Sequence, residues 1–426
     1  MIKRNLFADI KAHLKNPEIT LIVGPRQVGK TTLMRQLMAD LNEEGAKTLF
    51  LSLDNDLDRP YFDSQEALVS KIELTFGGKK GYVFVDEIQR KVDAGLFLKG
   101  IYDRVIPYKF IVTGSGSVEL KEKVHESLVG RKRLFELGTL SFGEFVNYKT
   151  GYKYENKFAA FFLVESVLTQ KYFQEYLAFG GYPKVVLAET EEEKRKTIQD
   201  IYESYLEKDI ALLLNVQKTV SLTNLVRLLA FQTGGLVNVS EISSTLGISV
   251  ETVNNYLWYL EKTYIVERIR PFFKNVRKEI TKSPIYYFMD LGMKNYAQRQ
   301  FGSSFQHLSD GHVFENFVYL LLKANLVLPT SLHFWRTQDK AEVDFIIDSG
   351  NEIIPVEVKA TILTEPKITR SFRSFIDSYQ PKKAYVVHLG GEFQAKINSV
   401  TASFLPYFSL LTNHVFLGSY SQHYYL

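Results

Sequence analysis

The sequence contains no cysteine. That excludes disulfides and thiolate zinc sites. It fits an intracellular protein without requiring one, so a cytoplasmic location is the expectation. No stretch of ~18 uninterrupted apolar residues occurs, so neither a transmembrane helix nor a membrane partner is expected. The opening residues, MIKRNLFADIKAHLKN, are charged throughout and lack the apolar core of a signal peptide. Neither sign of charge dominates. Lys and Arg number 52 against 48 Asp and Glu, and the net charge of +4 implies a nucleic-acid partner only if the cations cluster. Low-complexity segments and internal repeats are also missing. What is present is an ordinary globular composition, 45% apolar and 23% charged, over 426 residues, a length that suits two to four domains. Tryptophan is scarce, but 31 Phe and 25 Tyr are scattered as core residues are.

The first informative stretch is EITLIVGPRQVGKTTLMRQLMADLNEEG. The apolar run Ile19–Val23 reads as a buried strand. Gly24 then opens the spacing Gly-x-x-x-x-Gly29-Lys30-Thr31, and a helix with Leu33, Leu37 and Leu41 on one face follows. This is the phosphate-binding loop in its strand–loop–helix setting. Its glycines let backbone N–H groups wrap phosphates, and the helix N-terminus adds its positive dipole end. Gly24, Gln27, Val28, Gly29, Lys30, Thr31 and Thr32 are therefore the expected ATP-binding residues. Lys30 should reach the β- and γ-phosphates, and the Thr31 hydroxyl should bind Mg²⁺.

A second strand is expected in KTLFLSLDN and a third in GYVFVDEIQR, which ends in Asp86-Glu87. Carboxylates at the C-terminal end of a parallel strand face the crevice where ligands bind. Asp86 would hold Mg²⁺ through water, and Glu87 would orient or deprotonate the attacking water. A fourth strand, YKFIVTGSGS, ends in small polar residues, where Thr113 or Ser115 would sense the γ-phosphate. Beyond it, Arg131 and Arg133 supply either transition-state charge, in cis or to a neighbouring subunit, or a basic surface loop. The chain has no Asn-Lys-x-Asp guanine-reading motif, NKFA at 156–159 lacking the aspartate, and no Leu-Ser-Gly-Gly signature.

The stretches GPRQVGKTTL, VFVDEIQR, VTGSGS, GRKRLFELGTLSFGEF and YLAFGGYPKVV, in this order, resemble a family of prokaryotic AAA+ ATPases. In that family the C-terminal half is a domain of unknown function that looks nuclease-like. The resemblance spans nearly the whole chain and implies an ATP-binding ATPase.

Residues 155–215 read as helical, with FGGYP as a turn, and form either the lid of an AAA+ domain or a linker. Further on, NVSEISSTLGISVETVNNYLWYLEKTY reads as helix, tight turn, helix. Ser240 and Ser249 are the expected caps, Gly247 the turn residue, and Val253, Tyr256, Leu257 and Leu260 the buried stripe. IVERIRPFFKN and SPIYYFMD read as the two strands of a wing. The expected second helix exposes Glu251, Asn254, Asn255 and Glu261, whereas the cations Arg268, Arg270, Lys274, Arg277 and Lys278 lie in the wing. A winged helix-turn-helix binds DNA or protein, and both remain open.

The stretch AEVDFIIDSGNEIIPVEVKA, residues 341–360, reads as a hairpin carrying charges that burial would make costly unless paired or metal-bound. Glu357 and Lys359 share one strand face, and Asp344 lies on the partner strand. With a helix before it bearing Glu315, and a helix and strand after it, this resembles the PD-(D/E)XK nuclease fold. The resemblance implies Mg²⁺ or Mn²⁺ ligation by Asp344, Glu357 and Glu315, with Lys359 placing the nucleophilic water. A structural ion pair between Lys359 and Asp344 or Glu357, or a decayed scaffold, would leave the same residues. The expected fold class is α/β: a parallel-sheet P-loop AAA+ domain (1–150), a helical segment (151–215), a winged helix-turn-helix (216–290) and a nuclease-like α/β domain (291–426). The expected activity is Mg²⁺-dependent ATP hydrolysis coupled to action on DNA; the alternative is a nucleotide-dependent protein-interaction switch, self-association included.

Overall fold

A computed structural model of the chain describes residues 2–115, 127–206, 219–273, 275–300, 311–326 and 329–411. It divides into two units. The first comprises Met1–Leu140, Tyr182–Lys184 and Leu257–Ile265; the second comprises Ser141–Gly181, Val185–Tyr256 and Val266–Leu426. Among the described residues no helix is long and apolar enough to cross a membrane.

The first unit is built on five parallel strands: β1 (Ile19–Gly24), β2 (Thr48–Ser52), β3 (Gly81–Asp86), β4 (Tyr108–Ser115) and β5 (Lys132–Glu136). Their order is β2-β3-β4-β1-β5. β1 is buried at every position, as a strand covered on both faces must be. Helices α1 (Leu6–His13), α2 (Lys30–Glu43), α3 (Gln65–Phe76) and α4 (Ala94–Tyr102) accompany the sheet. The 3.6-residue spacing of Leu33, Leu37 and Leu41 buries one face of α2. β1 sits between β4 and β5, so its C-terminal end opens at the sheet's central crevice.

The second unit begins with helices, among them α5 (Phe142–Lys149), α6 (Phe158–Val164), α7 (Ser166–Phe179) and α8 (Glu191–Glu203); the last three fall in the stretch 155–215 read as helical, of which 207–215 lies outside the described residues. Helices α9 (Thr219–Phe231) and α10 (Val239–Leu246) follow, and then α11 (Val250–Lys262), whose residues from Leu257 on are counted with the first unit. α10 and α11 flank Gly247, which takes the left-handed conformation a tight turn needs. Ser249 caps α11, its Oγ accepting the Thr252 N–H at 3.0 Å. The expected cap at Ser240 is displaced: Asn238 Oδ1 accepts the N–H groups of Ser240 and Glu241. An asparagine one residue before the helix offers a better-placed acceptor than a serine already inside its first turn. Val253, Tyr256, Leu257 and Leu260 are buried as expected, and Glu251, Asn254 and Asn255 are exposed; Glu261 is half-buried.

Strands β6 (Val266–Pro271) and β7 (Ile285–Phe288) pair antiparallel. β6 also pairs parallel with β8 (Ser331–Arg336) through Arg270 and Pro271. The hairpin is therefore the edge of an eight-stranded mixed sheet, ordered β12-β13-β11-β10-β9-β8-β6-β7. The remaining strands are β9 (Glu342–Asp348), β10 (Ile353–Lys359), β11 (Lys383–His388), β12 (Phe393–Ile397) and β13 (Val400–Pro406). Between β7 and β8 come α12 (Leu291–Ala297) and α13 (Gly311–Asn325); α14 (Arg370–Tyr379) follows β10. Phe372, Phe375 and Ile376 of α14 pack with Val343, Ile346 and Val386 in one apolar cluster. α13 packs against β10 as well, and its Tyr319 ring stacks with Phe345 of β9.

Candidate nucleotide site and acidic cluster

Gly24 closes β1 at φ +154°. A Cβ there would lie 2.0 Å from the Leu137 carbonyl oxygen, so no side chain fits. Gln27 (φ 62°) and Gly29 (φ 94°) are left-handed, which curls the loop between them before α2 begins at Lys30. Val28 is buried, while Gln27 and Thr32 are exposed. Lys30 is only 6% exposed, and its Nζ donates to the carbonyls of Gly24 (3.0 Å) and Pro25 (2.7 Å). Burial pushes this ammonium down to about 8 against the pull of Glu87 and Asp86, so it remains mostly charged at neutral pH.

Asp86 is the hub. Its Oδ2 accepts the Thr31 hydroxyl at 2.9 Å, and its Oδ1 accepts the Thr113 hydroxyl. Thr113 Oγ1 in turn accepts the Glu87 N–H at 3.3 Å, and Gln89 donates its amide to the Glu87 carboxylate. Three strands meet here because β1, β3 and β4 are parallel neighbours, with Ile22 level with Thr113 and Gly24 with Ser115. The side chain of Ser115 lies outside the described residues. One hydroxyl and one carboxylate in contact form a hard-oxygen donor set that fits Mg²⁺. Thr31 and Asp86 would hold the ion, which would supply positive charge to the phosphates.

Arg131 does not join this site. It precedes β5 at the N-terminal end of the sheet, where its carbonyl accepts the Ile19 N–H. The loop leaves the opposite end of β1, five residues or about 16 Å away. Its guanidinium is also paired with Asp103, Nε to Oδ1 at 2.7 Å. The expected cation in cis is thus corrected by strand direction for Arg131, and a role toward a neighbouring subunit and the basic surface loop both stay open to it.

The acidic cluster lies in the second unit. From His333 to Trp335, three residues of β8 face four of β9, Ile346 back to Val343. The extra residue is a β-bulge, and it turns two consecutive side chains to one face. Val343 and Ile346 consequently point to α14, while Phe345 meets Tyr287 and Tyr319 at ring distances of 5.5 and 6.4 Å. Asp344 turns the same way. The β9–β10 ladder ends at Phe345–Val356, and beyond it the Asp344 carboxylate accepts the Val358 N–H at 2.6 Å. On β10, Lys359 Nζ donates to Glu357 Oε1 at 2.8 Å, and Thr369 donates to the same oxygen. Glu357 is 5% exposed, and its Oε2 is buried without a hydrogen-bond partner.

Glu315 enters from α13. The Tyr287 hydroxyl of β7 donates to its Oε1. Gly234 packs so closely that a Cβ there would lie 2.8 Å from the same oxygen. Burial, with Glu342 and Glu357 nearby, pushes Glu315 up to about 7 against the Tyr287 bond and Lys359. Burial and the charges of Glu357 and Glu315 raise Asp344 well above the usual range, although the Val358 N–H and Lys359 oppose it. Glu342 is raised by burial and Glu357 despite Arg336. For Lys359 burial acts downward, but Glu357, Asp344 and Glu315 outweigh it and hold the ammonium above its ordinary value. Asp344, Glu315 and Glu357 thus share one lysine, Glu342 pairs with Arg336 at 3.3 Å, and one carboxylate oxygen of Glu357 is orphaned. These are hard oxygen donors of the kind a divalent cation takes, but among the described residues no three such groups converge on a single ion position. Lys274 of the expected wing lies outside the described residues; Arg268 and Arg277 are exposed and Arg270 is half-buried.

Sequence reasoning missed Gln89, Tyr287 and Glu342. Glu342 was visible two residues before Asp344, at same-face spacing; nothing local marks Tyr287, which is 28 residues from the carboxylate it holds.

Residues 16–146 match the model of the AAA domain family. Residues 170–304 and 310–408 match two domains of unknown function, DUF8612 and DUF4143. An uncharacterized protein of Mycobacterium tuberculosis is 27% identical over 394 residues, covering 91% of this chain and 80% of that protein. Uncharacterized proteins of Haemophilus influenzae and Methanocaldococcus jannaschii are each 26% identical, covering 89% and 82% of this chain and 92% and 76% of their own lengths. Among solved structures, replication initiator DnaA bound to AMPPCP and single-stranded DNA aligns at TM-score 0.30 and 14% identity, over 62% of this chain and 90% of that one. AMPPCP-bound DnaA from Aquifex aeolicus aligns at TM-score 0.29 and 16% identity, over 61% and 88%. With its phosphate loop, parallel sheet and family match, the segment 16–146 is a P-loop domain of the AAA family, and residues 310–408 match a domain of unknown function.

Proposed function

We propose that the chain binds and hydrolyses ATP with Mg²⁺ and uses that cycle in acting on DNA through a metal-dependent, nuclease-like C-terminal part. The grouping of Lys30, Thr31, Asp86, Glu87 and Thr113 at the open end of β1 carries the first half of this reading. Lys30 holds the β- and γ-phosphates, Thr31 and Asp86 hold Mg²⁺, Glu87 draws a proton from the attacking water, and Thr113 keeps Asp86 oriented. The second half is supported by the excess of carboxylates around Lys359 and by the unpartnered Glu357 Oε2. There Asp344, Glu357 and Glu315 would hold Mg²⁺ or Mn²⁺, and Lys359 would steady the charge developing on a phosphate. The functional parts are an ATPase, 1–150; a helical segment, 151–215; a winged helix-turn-helix, 216–290; and the nuclease-like part, 291–426, acting in the cytoplasm. The test is incubation with plasmid and oligonucleotide DNA, with Mg²⁺ or Mn²⁺, with and without ATP. Metal-dependent cleavage supports the reading, and intact DNA in every combination removes the nuclease half.

A second reading rests on one observation: Lys359 is already paired with Glu357 at 2.8 Å. In that case the cluster is a structural ion-pair network, and the protein is a nucleotide-dependent switch that binds protein. ATP-dependent capture of a protein partner without affinity for DNA favours it.

A further inference from the structure

Arg4 lies before α1, outside the residues that match the AAA domain family. Its guanidinium makes three bonds to backbone carbonyls of two different loops. Nη1 donates to Val28 at 2.9 Å; Nη2 donates to Gly138 at 2.8 Å and Thr139 at 3.2 Å. Val28 is the residue before Gly29, at the far end of the phosphate loop. Gly138 and Thr139 follow Leu137, whose carbonyl abuts Gly24 at the near end and whose N–H donates to the Val23 carbonyl at 2.8 Å. One planar fork therefore brackets the loop between its two glycines. The base of that fork is fixed too. Lys11 of α1 is paired with Asp40 and Glu44 at 3.1 and 3.0 Å, and Ile10 is fully buried.

The peptide plane explains what such bracing does. In a trans peptide the C=O and the following N–H point in opposite directions. Drawing the Val28 carbonyl toward Arg4 turns the Gly29 N–H away from it. Gly29 needs this help more than most residues, because at φ 94° with no side chain its backbone is the least restrained in the loop. A lysine could reach one of the two loops but not span both, since only a guanidinium presents donors in a fixed fork.

We propose that Arg4 is a positioning residue of the nucleotide site: it ties the loop's Val28 to Gly138 and Thr139 and so sets the amides of the loop for a nucleoside triphosphate. This rests on the ATP-binding reading above. The test uses the full chain and measures Mg²⁺–ATP affinity by calorimetry, hydrolysis rate, and melting temperature without nucleotide. The variants are Arg4→Ala, Arg4→Lys and, as a control for net charge, Lys3→Ala. Arg4→Ala is expected to weaken ATP binding about tenfold, the size of one hydrogen bond to a charged group. Arg4→Lys falls between, Lys3→Ala matches wild type, and the melting temperature of Arg4→Lys without nucleotide stays at the wild-type value. ATP affinity equal in Arg4→Ala and wild type overturns the proposal, as does an equal loss in Lys3→Ala. A lowered melting temperature in Arg4→Lys with unchanged ATP affinity overturns it as well, leaving a purely structural brace. Absence of ATP binding by wild type instead removes the reading on which it rests.

Discussion

At the scale of single residues, the two sites differ in how their charges are balanced. Lys30 is buried against carbonyls and faces two carboxylates, so its charge is held ready for phosphate. Lys30→Ala is expected to weaken ATP binding by on the order of 100-fold, the loss of a charge-assisted bond in a buried setting. Glu87→Gln keeps the Thr31–Asp86 hydrogen bond; it should bind ATP as wild type does and slow hydrolysis about 100-fold or more, since only the base is removed. Equal hydrolysis by Glu87→Gln and wild type would sink the role given to Glu87. The acidic cluster has the opposite imbalance. Glu315, at about 7 rather than 4.5, keeps its proton in the folded chain where the unfolded chain has lost it. The folded state then binds more protons than the unfolded one between those values, and stability must fall as pH rises through that window. Without metal, the melting temperature is expected to decline from about pH 5 to about pH 7 and to decline less in Glu315→Gln. Added Mn²⁺ should reverse the decline at pH 7 by relieving the crowded carboxylates, and Asp344→Asn should abolish that rescue. A metal-independent melting temperature in wild type would leave only an ion-pair network.

At the scale of elements, legibility followed locality. The phosphate loop is contiguous, its glycine spacing is dictated by backbone geometry, and the strand and helix around it carry their own periodicities; all three were readable. The alternation along β10 correctly put Glu357 and Lys359 on one face. Along β9 the same rule would pair Asp344 with Ile346 and oppose it to Phe345, yet the bulge opposite His333–Trp335 reverses that. A bulge depends on the partner strand, so nothing within Glu342–Asp348 announces it. Arg131 failed for a related reason: a basic residue after β4 says nothing about which end of the sheet it occupies until β5 is aligned with β1. The edge hairpin shows the same limit. The two strands were legible, their junction with β8 was not, because it is made by residues some 60 positions away in sequence. If α10, α11 and this edge engage DNA, neutralising exposed Arg268 and Arg277 should weaken binding to all sequences alike. It should also flatten log K against log salt by roughly one unit for each phosphate that is no longer neutralised. Affinity indifferent to both salt and these substitutions favours a protein partner.

At the scale of the whole molecule, the nucleotide site and the acidic cluster belong to different units, each with its own sheet and its own apolar core. The hydrogen bonds described above stay within each unit: those of the Asp86 carboxylate come from α2 and β4, and those of Asp344 and Glu357 from the second unit. Substitutions at one site should therefore leave the other's basal chemistry intact, because effects confined to separate cores are additive. Lys359→Ala is expected to remove any metal-dependent DNA cleavage while ATP hydrolysis without DNA stays within about twofold of wild type. Lys30→Ala is expected to do the converse: it loses ATP hydrolysis yet keeps the metal-induced rise in melting temperature. What the pair of variants can reveal beyond independence is direction. If Lys30→Ala cleaves DNA at the wild-type rate without ATP but no longer responds to ATP, nucleotide regulates the cluster rather than driving it. If Lys359→Ala lowers the basal ATPase severalfold, the two units are energetically coupled and the assignment of separate, self-contained sites is wrong.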